Sequence, residues 1–457
     1  MAIESAVSTF PGGAHPPENK QISEALAIEA VAPPKQVSIL LSQHLGAPCK
    51  PLVAKRDKVQ AGQMIGSSDA FVSAPVHAPI SGTVKDIALQ PHPVTGRTPA
   101  IVIEADAENN PQRALPFDRF DASFSVEPYD AEQICDAVQA AGLVGMGGAG
   151  FPTRVKIAPS KEMPKDILII NGCECEPFIT CDYRLMLEAT WQVLAGVRLA
   201  AKAAGVKKVR IGIEDNKPQA VKVMAEAVAG IADMDITVVS VKTQYPQGGE
   251  RQLIQSVLGK TVPTGTIPPM MGVCVLNIAT CAAIAEAVVL EGPLTHRVTT
   301  VTGRAIAKPG NYYVPVGMTV ADLIDHCGGL TEQAAKVVLG GPMTGFALAD
   351  LSTPLTKTSG ALTLLTRDDV TEAKHARQQT PCIRCGRCLT ACPEKLNPTR
   401  IAHAVKANRM DLARQYFMSA CIECGCCSYV CPANIEVTGY IKTGKILDAR
   451  EKKRMQA

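Results

Sequence analysis

The middle third of the chain alternates short apolar runs with longer amphipathic stretches. Apolar runs of strand length lie at residues 166–171, 209–214, 236–241 and 273–278. Stretches with helical spacing of apolar residues separate and follow these runs, at residues 184–204, 219–230, 251–258 and from 282 onward. Strands that alternate with helices predict a parallel sheet with helices on both faces, and such sheets bind ligands at the carboxyl ends of their strands.

Near its C-terminus the chain contains one cysteine pattern twice. Each copy reads C-x2-C-x2-C-x3-C-P, with the cysteines at Cys382, Cys385, Cys388 and Cys392 and then at Cys421, Cys424, Cys427 and Cys431. Thiolates at this spacing hold [4Fe–4S] clusters, and in two-cluster ferredoxins the fourth cysteine ligates the other cluster. The pattern therefore predicts one cluster on Cys382, Cys385, Cys388 and Cys431, and a second on Cys421, Cys424, Cys427 and Cys392. Cys426 is predicted to be a bystander.

A pair of zinc sites is the alternative interpretation of the cysteine pattern. Structural zinc modules usually take their ligands from two separated cysteine pairs. This chain instead has two copies of three closely spaced cysteines followed by Cys-Pro, which fit that arrangement poorly. The spacing therefore favours iron–sulfur clusters.

Composition narrows the class of protein. A chain of 457 residues is too long for one hydrophobic core and predicts several domains. Its net charge of +3, without a long basic block, argues against nucleic acid as a partner. The longest apolar stretch, residues 273–285, is shorter than the roughly 20 residues that span a bilayer, so we expect no membrane-spanning segment. The N-terminal sequence does not resemble a secretory signal, which places the 17 cysteines in a reducing compartment as metal ligands or buried thiols.

A glycine-rich segment, residues 142–157, precedes the first strand of the predicted sheet. Gly145, Gly147 and Gly150 match G-x-G-x-x-G literally. A dinucleotide-binding fingerprint requires a strand before it and a helix on its last glycine, whereas here a helical pattern comes first and Pro152 follows. The simple Rossmann interpretation therefore fails, although glycines still let backbone N–H groups approach a flat or phosphorylated ligand. A flexible surface loop is the alternative.

Polar clusters follow three of the predicted strands, at residues 171–177, 214–218 and 277–280. Acidic and amide side chains there suit hydrogen bonds to a ribose or an amide, while Lys156 and the N-terminus of the last helix suit a phosphate. Ordinary helix capping explains each cluster taken alone. Their joint placement with the glycine-rich segment favours a ligand site.

Several motifs resemble those of known electron-transfer proteins. "GMGGAGFPTRVK", "NGCECEP" followed by "CDYR", "GGE" at residues 248–250 and "NIAT" resemble the flavin- and nicotinamide-binding subunit of respiratory complex I. The leading "FPGGAHPPENK", the order of the modules and the twin cysteine motifs resemble the RnfC family of Rnf electron transport complexes along almost the whole chain. The resemblance implies non-covalently bound FMN, NADH as substrate, and attachment to a membrane ion pump linked to ferredoxin.

The resemblance also implies which residues bind the cofactors. It places the flavin and the nicotinamide over Gly145, Gly147, Gly148 and Gly150, and it matches FMN-binding positions to Lys156, Asn171, Asn277 and Thr280. Acidic positions near the flavin and the nucleotide match Glu174, Glu176 and Glu250. One position departs from the pattern: Cys173 stands where complex I has an aspartate, so a hydrogen bond from that aspartate is not carried over.

The flanking segments complete the predicted α/β multidomain fold. Residues 30–110 resemble the barrel-sandwich fold of lipoyl and biotinyl carriers, with Phe71 at the hairpin tip where carriers have a lysine, and this predicts a docking domain without a prosthetic group. The predicted domains are an N-terminal extension (1–29), a barrel-sandwich hybrid docking domain (30–115), a doubly wound Rossmann-like FMN/NADH domain (125–295), a small β-grasp domain (296–366), an α-helical two-cluster ferredoxin domain (378–436) and a basic C-terminal tail (437–457).

Together these features predict a peripheral NADH-oxidising or NAD-reducing subunit of a membrane-bound, ion-translocating NAD:ferredoxin oxidoreductase. Electrons would pass between NADH, FMN and two [4Fe–4S] clusters. The expected partners are integral membrane subunits, a second iron–sulfur subunit of the same complex, NADH and, indirectly, ferredoxin, at the cytoplasmic face of the bacterial inner membrane. Two alternatives stay open: a soluble NADH-dependent cobalamin reductase, which would not need the N-terminal barrel, and a ferredoxin-like adaptor that holds no flavin.

Overall fold

The computed structural model describes residues 3–106, 108–371 and 378–456. Its first two strands, β1 (Ile3–Ser5) and β2 (Ile28–Ala30), join two different sheets that are built mainly from later residues. The N-terminal extension therefore supplies edge strands to two other parts of the protein and does not form a separate arm.

The next seven strands form two small sheets that face each other. They are β3 (Gln36–Leu40), β4 (Lys50–Pro51), β5 (Lys58–Val59), β6 (Met64–Ser67), β7 (Val76–His77), β8 (Gly82–His92) and β9 (Gly96–Ala105). One sheet has the order β3-β9-β8-β5 and the other the order β4-β6-β7. Apolar side chains such as Ile39, Ile65 and Ile101 fill the space between them. Phe71, which is 74% exposed, lies in the loop between β6 and β7.

The central part of the chain contains four further strands and seven helices. The strands are β10 (Ile167–Asn171), β11 (Lys208–Glu214), β12 (Asp235–Val241) and β13 (Val273–Asn277). The helices are α1 (Ala131–Ala140), α2 (Thr153–Ile157), α3 (Cys181–Glu188), α4 (Thr190–Ala204), α5 (Pro218–Ala229), α6 (Glu250–Leu258) and α7 (Ile278–Val289). With β1, the strands form a parallel sheet in the order β1-β12-β11-β10-β13.

Both faces of the parallel sheet are buried, which explains why its strands are continuous apolar runs. Leu168 and Ile170 of β10 pack against one layer of helices that includes α4 and α7. Ile167 and Ile169 face the other way and pack with α6. The predicted alternation of strands and helices around a parallel sheet is confirmed.

Two helix bounds differ from the prediction. The stretch predicted as one helix over 184–204 is divided between α3 and α4, which meet at Ala189. The last helix of this part, α7, begins at Ile278 and not at Ala282 because the Asn277 side chain accepts a hydrogen bond from the Thr280 N–H and so caps it.

A third sheet follows, built from both parallel and antiparallel pairs. Its strands are β14 (His296–Thr302), β15 (Gly310–Pro315), β16 (Ala334–Leu339), β17 (Phe346–Ala347) and β18 (Ala361–Thr366). With β2 the order is β17-β16-β18-β14-β15-β2. Two helices accompany it, α8 (Val320–His326) and α9 (Arg367–Thr371), and α8 packs on the sheet through Leu323 and Ile324.

The C-terminal part is helical. Its helices are α10 (Arg387–Thr390), α11 (Pro398–Lys406), α12 (Met410–Gln415), α13 (Cys426–Tyr429) and α14 (Val437–Gln456). The predicted basic tail is α14, whose Asp448 and Glu451 pair with Arg414 of α12. The tail therefore folds back on this part of the protein. Within the described ranges, no helix has the combined length and apolar character needed to cross a bilayer.

A buried lysine joins three parts of the fold. The Lys357 ammonium donates to the carbonyl oxygens of Pro75 (2.6 Å), in the barrel, and Gly142 (2.7 Å), just before the glycine-rich loop. Burial lowers the pKa of Lys357 to about 7. The barrel, the central domain and the third sheet thus meet at one side chain.

Candidate functional site

The central sheet changes direction beside β10. The chain runs outward from β10 through β11 and β12, and then returns to place β13 on the other side of β10. Asn171, the last residue of β10, pairs in register with Asn277, the last residue of β13. Such a switch point opens a crevice at the carboxyl ends of the strands, which is the usual ligand site of these sheets.

The glycine-rich loop, residues 145–150, lies against the ends of these strands. The Met146 N–H donates to Thr280 Oγ1 (3.0 Å) and holds the loop in place. A Cβ atom on Gly147 would lie 2.7 Å from the Asn277 amide nitrogen, so no side chain fits there. Gly148 has the opposite environment, because a Cβ atom on it would meet no atom within 4 Å. The loop thus presents bare backbone, which suits a flat cofactor.

Two other parts of the protein support the far end of this loop. Gly150 adopts a φ of +71°, and its carbonyl accepts a hydrogen bond from the Leu45 N–H of the barrel (3.1 Å). A Cβ atom on Gly150 would lie 2.9 Å from the Thr358 side chain, in the segment before β18. The barrel and the third domain therefore shape the loop, a contact that sequence patterns did not predict.

The predicted amide and hydroxyl residues of this edge are hydrogen-bonded to one another. Asn277 Nδ2 donates to Asp182 Oδ2 (2.5 Å), and Asn277 Oδ1 accepts from the Thr280 N–H (3.3 Å). The Asp182 carboxyl is buried, which raises its pKa, and its hydrogen-bond partner Asn277 caps the first turn of α7. A carboxylate therefore occupies the helix N-terminus at which the sequence suggested a phosphate. Asp182 belongs to the "CDYR" motif but is not among the predicted site residues.

Lys156 lies at the same edge of the sheet. Its ammonium donates to the Val275 carbonyl (3.2 Å) and pairs with Glu250 (3.2 Å), and its side chain is 30% exposed. Asn171 Nδ2 donates to the Gly248 carbonyl (2.8 Å). The structure thus brings Lys156, Asn171 and Glu250 to the crevice, with a cation still accessible to an anionic ligand.

The acidic loop, residues 172–180, follows β10 and carries Glu174. The Glu174 carboxylate accepts hydrogen bonds from the N–H groups of Asp182 (2.6 Å) and Tyr183 (3.2 Å), in the first turn of α3. Its backbone has a φ of +50°, a conformation that non-glycine residues rarely adopt. Burial raises the pKa of the Glu174 carboxyl to about 7. Glu174 thus stabilises the shape of the loop and the start of α3.

We expect Glu174→Gln to reduce the pH dependence of thermal stability. Because the folded-state pKa of about 7 lies above the ordinary 4.5, the folded chain keeps a proton that the unfolded chain releases between these values. This carboxyl therefore costs stability progressively as the pH rises through that range. The melting temperature of Glu174→Gln should rise relative to wild type between about pH 5 and about pH 7.5. Glu132→Gln, exposed on α1, is the control, and a difference that stays constant with pH would contradict this expectation.

Glu176 connects the same loop to the third domain. Its carboxylate accepts from the N–H groups of Met343 (2.7 Å) and Thr344 (3.1 Å), in the turn between β16 and β17. Burial raises the pKa of the Glu176 carboxyl. These hydrogen bonds anchor the acidic loop on two sides, so both predicted glutamates engage backbone groups of this chain.

Cys173 is turned away from the crevice. Its side chain is fully buried and packs in the core between the sheet and α6. Burial raises the pKa of its thiol well above the ordinary value. The position that differs from the complex I pattern is therefore a core position in this chain.

The two cysteine motifs fold into similar loops, here called the first knuckle (382–393) and the second knuckle (421–432). The third cysteine of each contacts a threonine, with Cys388 Sγ 2.8 Å from Thr399 Oγ1 and Cys427 Sγ 3.3 Å from Thr438 Oγ1. Positive φ angles recur at matching positions, namely Arg384 and Glu423, Gly386 and Gly425, and Lys395 and Asn434. The sequence repeat is therefore a repeat of backbone conformation.

Five cysteines line a cavity beside the second knuckle, namely Cys421, Cys424, Cys426, Cys427 and Cys392. Four of these belong to the second knuckle, and Cys392 comes from the first. Burial raises the pKa of the Cys421 thiol to about 11 and that of Cys427 to about 12, and the charges of the neighbouring thiols act in the same direction. Such thiols keep their protons until a metal displaces them. The four of these cysteines that belong to the repeated pattern fit a [4Fe–4S] cluster and are the members of one of the two predicted sets.

The other four cysteines lie around the first knuckle. Cys382, Cys388 and Cys431 are partly buried against the small core of the C-terminal part, which includes Ile401. Cys385 is exposed. The two sets therefore differ in their access to solvent, and the outer one lies at the protein surface.

The second knuckle packs against the central domain. Tyr245 Oη donates to the Cys424 carbonyl (2.7 Å). Cys175, in the acidic loop, belongs to the same apolar cluster as Tyr245, Cys424 and the buried Cys426. One apolar cluster therefore joins the cavity lined by cysteines to the acidic loop that follows β10. Tyr245 precedes the "GGE" motif by three residues but is not part of any motif identified from the sequence.

Family models match four consecutive parts of the chain. The RnfC barrel sandwich hybrid domain matches residues 8–108, and the Nuo51 FMN-binding domain matches residues 138–286. The SLBB domain matches residues 298–347, and a 4Fe-4S dicluster domain matches residues 374–432. The flavin-binding and cluster-binding families thus fall on the glycine-rich crevice and on the two knuckles.

Relatives match most of the chain, and each is named as a subunit of an ion-translocating complex. One belongs to the proton-translocating ferredoxin:NAD(+) oxidoreductase complex of Clostridium ljungdahlii and is 44% identical over 396 residues, covering 87% of this chain and 84% of that protein. Another belongs to the Na(+)-translocating ferredoxin:NAD(+) oxidoreductase complex of Acetobacterium woodii and is 39% identical over 409 residues, covering 88% of each. A third, from the ion-translocating oxidoreductase complex of Pseudomonas aeruginosa, is 39% identical over 87% of this chain and 50% of that protein.

A solved structure shares the fold. An NAD+-reducing [NiFe]-hydrogenase in the H2-reduced state superposes with a TM-score of 0.50 at 20% identity, covering 72% of this chain and 64% of that one. At that identity the likeness concerns the fold alone. The extent and identity of the matches to the relatives carry the assignment: the chain belongs to the RnfC family of ion-translocating ferredoxin:NAD+ oxidoreductase complexes.

Proposed function

We propose that the chain is the NADH-oxidising or NAD-reducing subunit of an ion-translocating ferredoxin:NAD+ oxidoreductase complex. One observation carries the proposal: a single apolar cluster that contains Tyr245, Cys175 and Cys424 joins the acidic loop at the glycine-rich crevice to the cavity lined by cysteines. A crevice for a flat cofactor directly beside a cluster site is the arrangement that electron transfer between them requires.

The crevice residues have binding and positioning roles. When bound, FMN supplies the exchange between hydride transfer and single-electron transfer that clusters require. The bare backbone at Gly147 and Gly148 admits the flat ring, and Gly145 and Gly150 set the two ends of the loop. Lys156 supplies positive charge for a phosphate.

The remaining residues proposed for the cofactors act mainly through the protein framework. Asn171, Asn277 and Thr280 hold the strand ends and the glycine-rich loop in register. Glu174 and Glu176 keep the acidic loop in shape, and Glu250 pairs with Lys156 beside the crevice. We retain these six as residues of the FMN and NADH site.

We propose the crossed assignment for the clusters. The inner cluster uses Cys421, Cys424, Cys427 and Cys392, and the outer cluster uses Cys382, Cys385, Cys388 and Cys431. Burial of the second knuckle against Tyr245 supports its place next to the crevice, and the exposure of Cys385 supports the outer cluster as the exchange point with a partner. Electrons then pass between nicotinamide and partner through the inner and then the outer cluster.

The partners that we propose are the membrane subunits and a second iron–sulfur subunit of the same complex, with ferredoxin reached indirectly. The relatives are named as subunits of such complexes. The exposed Phe71 at the barrel tip supports the barrel as a docking domain. We propose attachment at the cytoplasmic face of the bacterial inner membrane because the complex exchanges electrons with NADH. We also retain the β-grasp assignment of the third domain and the predicted domain limits.

The two alternative functions make different predictions. A soluble cobalamin reductase has no use for the barrel, whereas here the barrel supports the glycine-rich loop through Leu45 and is part of the matched RnfC family. An adaptor without flavin has no need of a crevice with bare backbone at Gly148. Both alternatives are therefore less well supported.

The test uses the full chain, prepared anaerobically and loaded with FMN, iron and sulfide. Adding NADH should bleach the flavin absorbance and then produce the electron paramagnetic resonance signal of reduced [4Fe–4S] clusters. The control is the same protein loaded with clusters but not FMN, in which NADH should reduce nothing. Cluster reduction without FMN, or flavin that NADH does not bleach, would overturn the proposed function.

A further inference from the structure

The segment Phe10–Lys20, here called the strap, crosses from the cluster-binding part of the protein to the acidic loop. It contains the "FPGGAHPPENK" motif, to which the function proposed above gives no role. Its Pro16 and Pro17 fix backbone φ angles and stiffen the segment between its two ends. Each end of the strap makes backbone contacts that few other residues could make.

One end of the strap lies beside the inner-cluster cysteine of the first knuckle. The Gly13 N–H donates to the Ala391 carbonyl (2.9 Å), and a Cβ atom on Gly12 would lie 2.9 Å from the Cys392 carbonyl oxygen. A Cβ atom on Gly13 would lie 2.6 Å from the Tyr245 carbonyl oxygen. Both glycines have positive φ angles, of 77° and 83°. Glycine is therefore required for the strap to fit between Cys392 and Tyr245.

The next residue continues this contact. Ala14 and Tyr245 exchange two backbone hydrogen bonds, of 2.8 Å and 3.0 Å, as an isolated antiparallel bridge. Tyr245 itself donates to the Cys424 carbonyl. The strap is therefore joined to both knuckles, directly at Cys392 and through Tyr245 at Cys424.

The other end of the strap is held in the acidic loop by Lys20. The buried ammonium donates to the carbonyl oxygens of Glu174 (2.8 Å), Glu176 (3.1 Å) and Ile179 (2.7 Å). An ammonium has three donors, so all of them are used within the protein and none is left for a ligand. The Phe178 N–H also donates to the Glu18 carbonyl (2.7 Å). Lys20 is thus a structural cation inside the acidic loop.

The acidic loop needs such a partner because its backbone is strained. Glu174 and Phe178 have φ angles of +50° and +71°, which non-glycine residues rarely adopt and keep only when their surroundings fix them. These turns bring three carbonyl oxygens together around one point. Without a cation there, the three dipoles repel each other and the loop loses its fixed shape.

We propose that the strap is a spacer that holds the acidic loop of the flavin site at a fixed distance from the inner cluster, with Lys20 as the positioning residue at one end and Gly12 and Gly13 at the other. The spacing matters because electron transfer between two centres slows steeply with their separation. The proposal rests on the function proposed above for its kinetic consequence, but the structural role of the strap does not depend on that function.

The test compares Lys20→Met, which keeps a long unbranched side chain but has no donor, with Gly13→Ala at the other end. His15→Ala is the control, because His15 is exposed on the same segment. All are made in the full chain loaded with FMN and clusters. Hydrogen exchange of the amides of residues 174–179 reports on the loop, and stopped-flow absorbance separates flavin bleaching by NADH from cluster reduction.

In Lys20→Met we expect the backbone amide hydrogens of residues 174–179 to exchange about tenfold faster. This factor corresponds to a loss of about 1.4 kcal/mol of local stability. Cluster reduction should slow relative to flavin bleaching. Gly13→Ala should shift the electron paramagnetic resonance signal of the inner cluster and should also slow cluster reduction relative to flavin bleaching. His15→Ala should change neither the signal nor the rate.

The other possible outcomes each contradict a specific part of the proposal or show which measurement decides it. Unchanged exchange in Lys20→Met would overturn the positioning role. Faster exchange with an unchanged ratio of the two rates in both variants would overturn the spacer. If Lys20→Met does not fold, as a loss of iron and FMN together would show, the same comparison in Gly13→Ala decides the proposal. If NADH fails to bleach the flavin of the wild type, the proposed function fails, while the exchange measurement still tests the strap.

Discussion

Gly148→Val should abolish FMN binding and leave both clusters in place. A Cβ atom at this position meets no protein atom within 4 Å, so the valine side chain extends into the crevice without displacing its neighbours. Its two methyl groups then occupy the space in which a flat ring would contact the backbone. Flavin released on denaturation should fall to background, NADH should no longer reduce the clusters, and iron should stay at about eight atoms per chain.

The matched control is Gly230→Val, an exposed glycine at the end of α5 with a φ of −82°. It places the same side chain on the same domain, away from the crevice, and should keep its flavin. Full FMN occupancy in Gly148→Val would mean that the cofactor lies elsewhere. Loss of iron together with flavin would instead indicate general unfolding, and Gly148→Ala, with one methyl group, would then be the variant to compare.

Cys392→Ala should remove the inner cluster and spare the outer one. Cys392 lies in the first knuckle of the sequence but lines the cavity of the second, together with Cys421, Cys424 and Cys427. Iron should therefore fall from about eight to about four atoms per chain. The surviving resonance signal should be that of the cluster on the first knuckle, and electrons from NADH should no longer reach it.

Cys426→Ala is the matched control for this change. Cys426 is a buried cysteine within the second knuckle, adjacent to Cys427, and it does not belong to the repeated pattern. Iron should stay at about eight atoms per chain in this variant. If Cys392→Ala lost the signal of the cluster on Cys382, Cys385 and Cys388 instead, the crossed assignment would be wrong.

The first 30 residues cannot be treated as a removable module. They supply β1 to the parallel sheet, β2 to the third sheet and Lys20 to the acidic loop. A truncation that removes the barrel together with these residues would expose the edge of the central sheet and the carbonyl oxygens around Lys20. Single substitutions in the full chain therefore test the barrel and the strap more cleanly than truncation does.

Sequence patterns were most informative where the relevant residues are close together in the chain. The spacing of three cysteines in one loop is set by local backbone geometry, so it predicts a metal site before any tertiary contact is known. Continuous apolar runs that alternate with amphipathic stretches likewise predicted the parallel sheet. Both faces of such a sheet are buried, so its strands are nearly continuous apolar runs. The placement of Asn171 and Asn277 at the carboxyl ends of strands followed from the same reasoning.

Only the tertiary structure decided where the predicted side chains point. Glu174 and Glu176 are short-range neighbours in the sequence, yet one caps α3 and the other engages the turn at Met343. The N-terminus of α7 holds the Asp182 carboxylate, and Cys173 lies in the core. Each of these contacts joins residues on different elements, and its geometry depends on how those elements pack.

The sequence by itself determined which chemical groups this protein has: eight cysteines in two knuckles, a glycine-rich loop and a parallel sheet against which that loop lies. The tertiary structure decided how these parts are connected, through Tyr245, Lys20 and Lys357. None of the three belongs to a repeated or periodic pattern, because each satisfies carbonyl oxygens that only the packed fold brings together. The sequence does not show that a lysine will be buried among carbonyl groups, even where it lies in a recognisable motif as Lys20 does, whereas the spacing of a ligand loop is visible in the sequence.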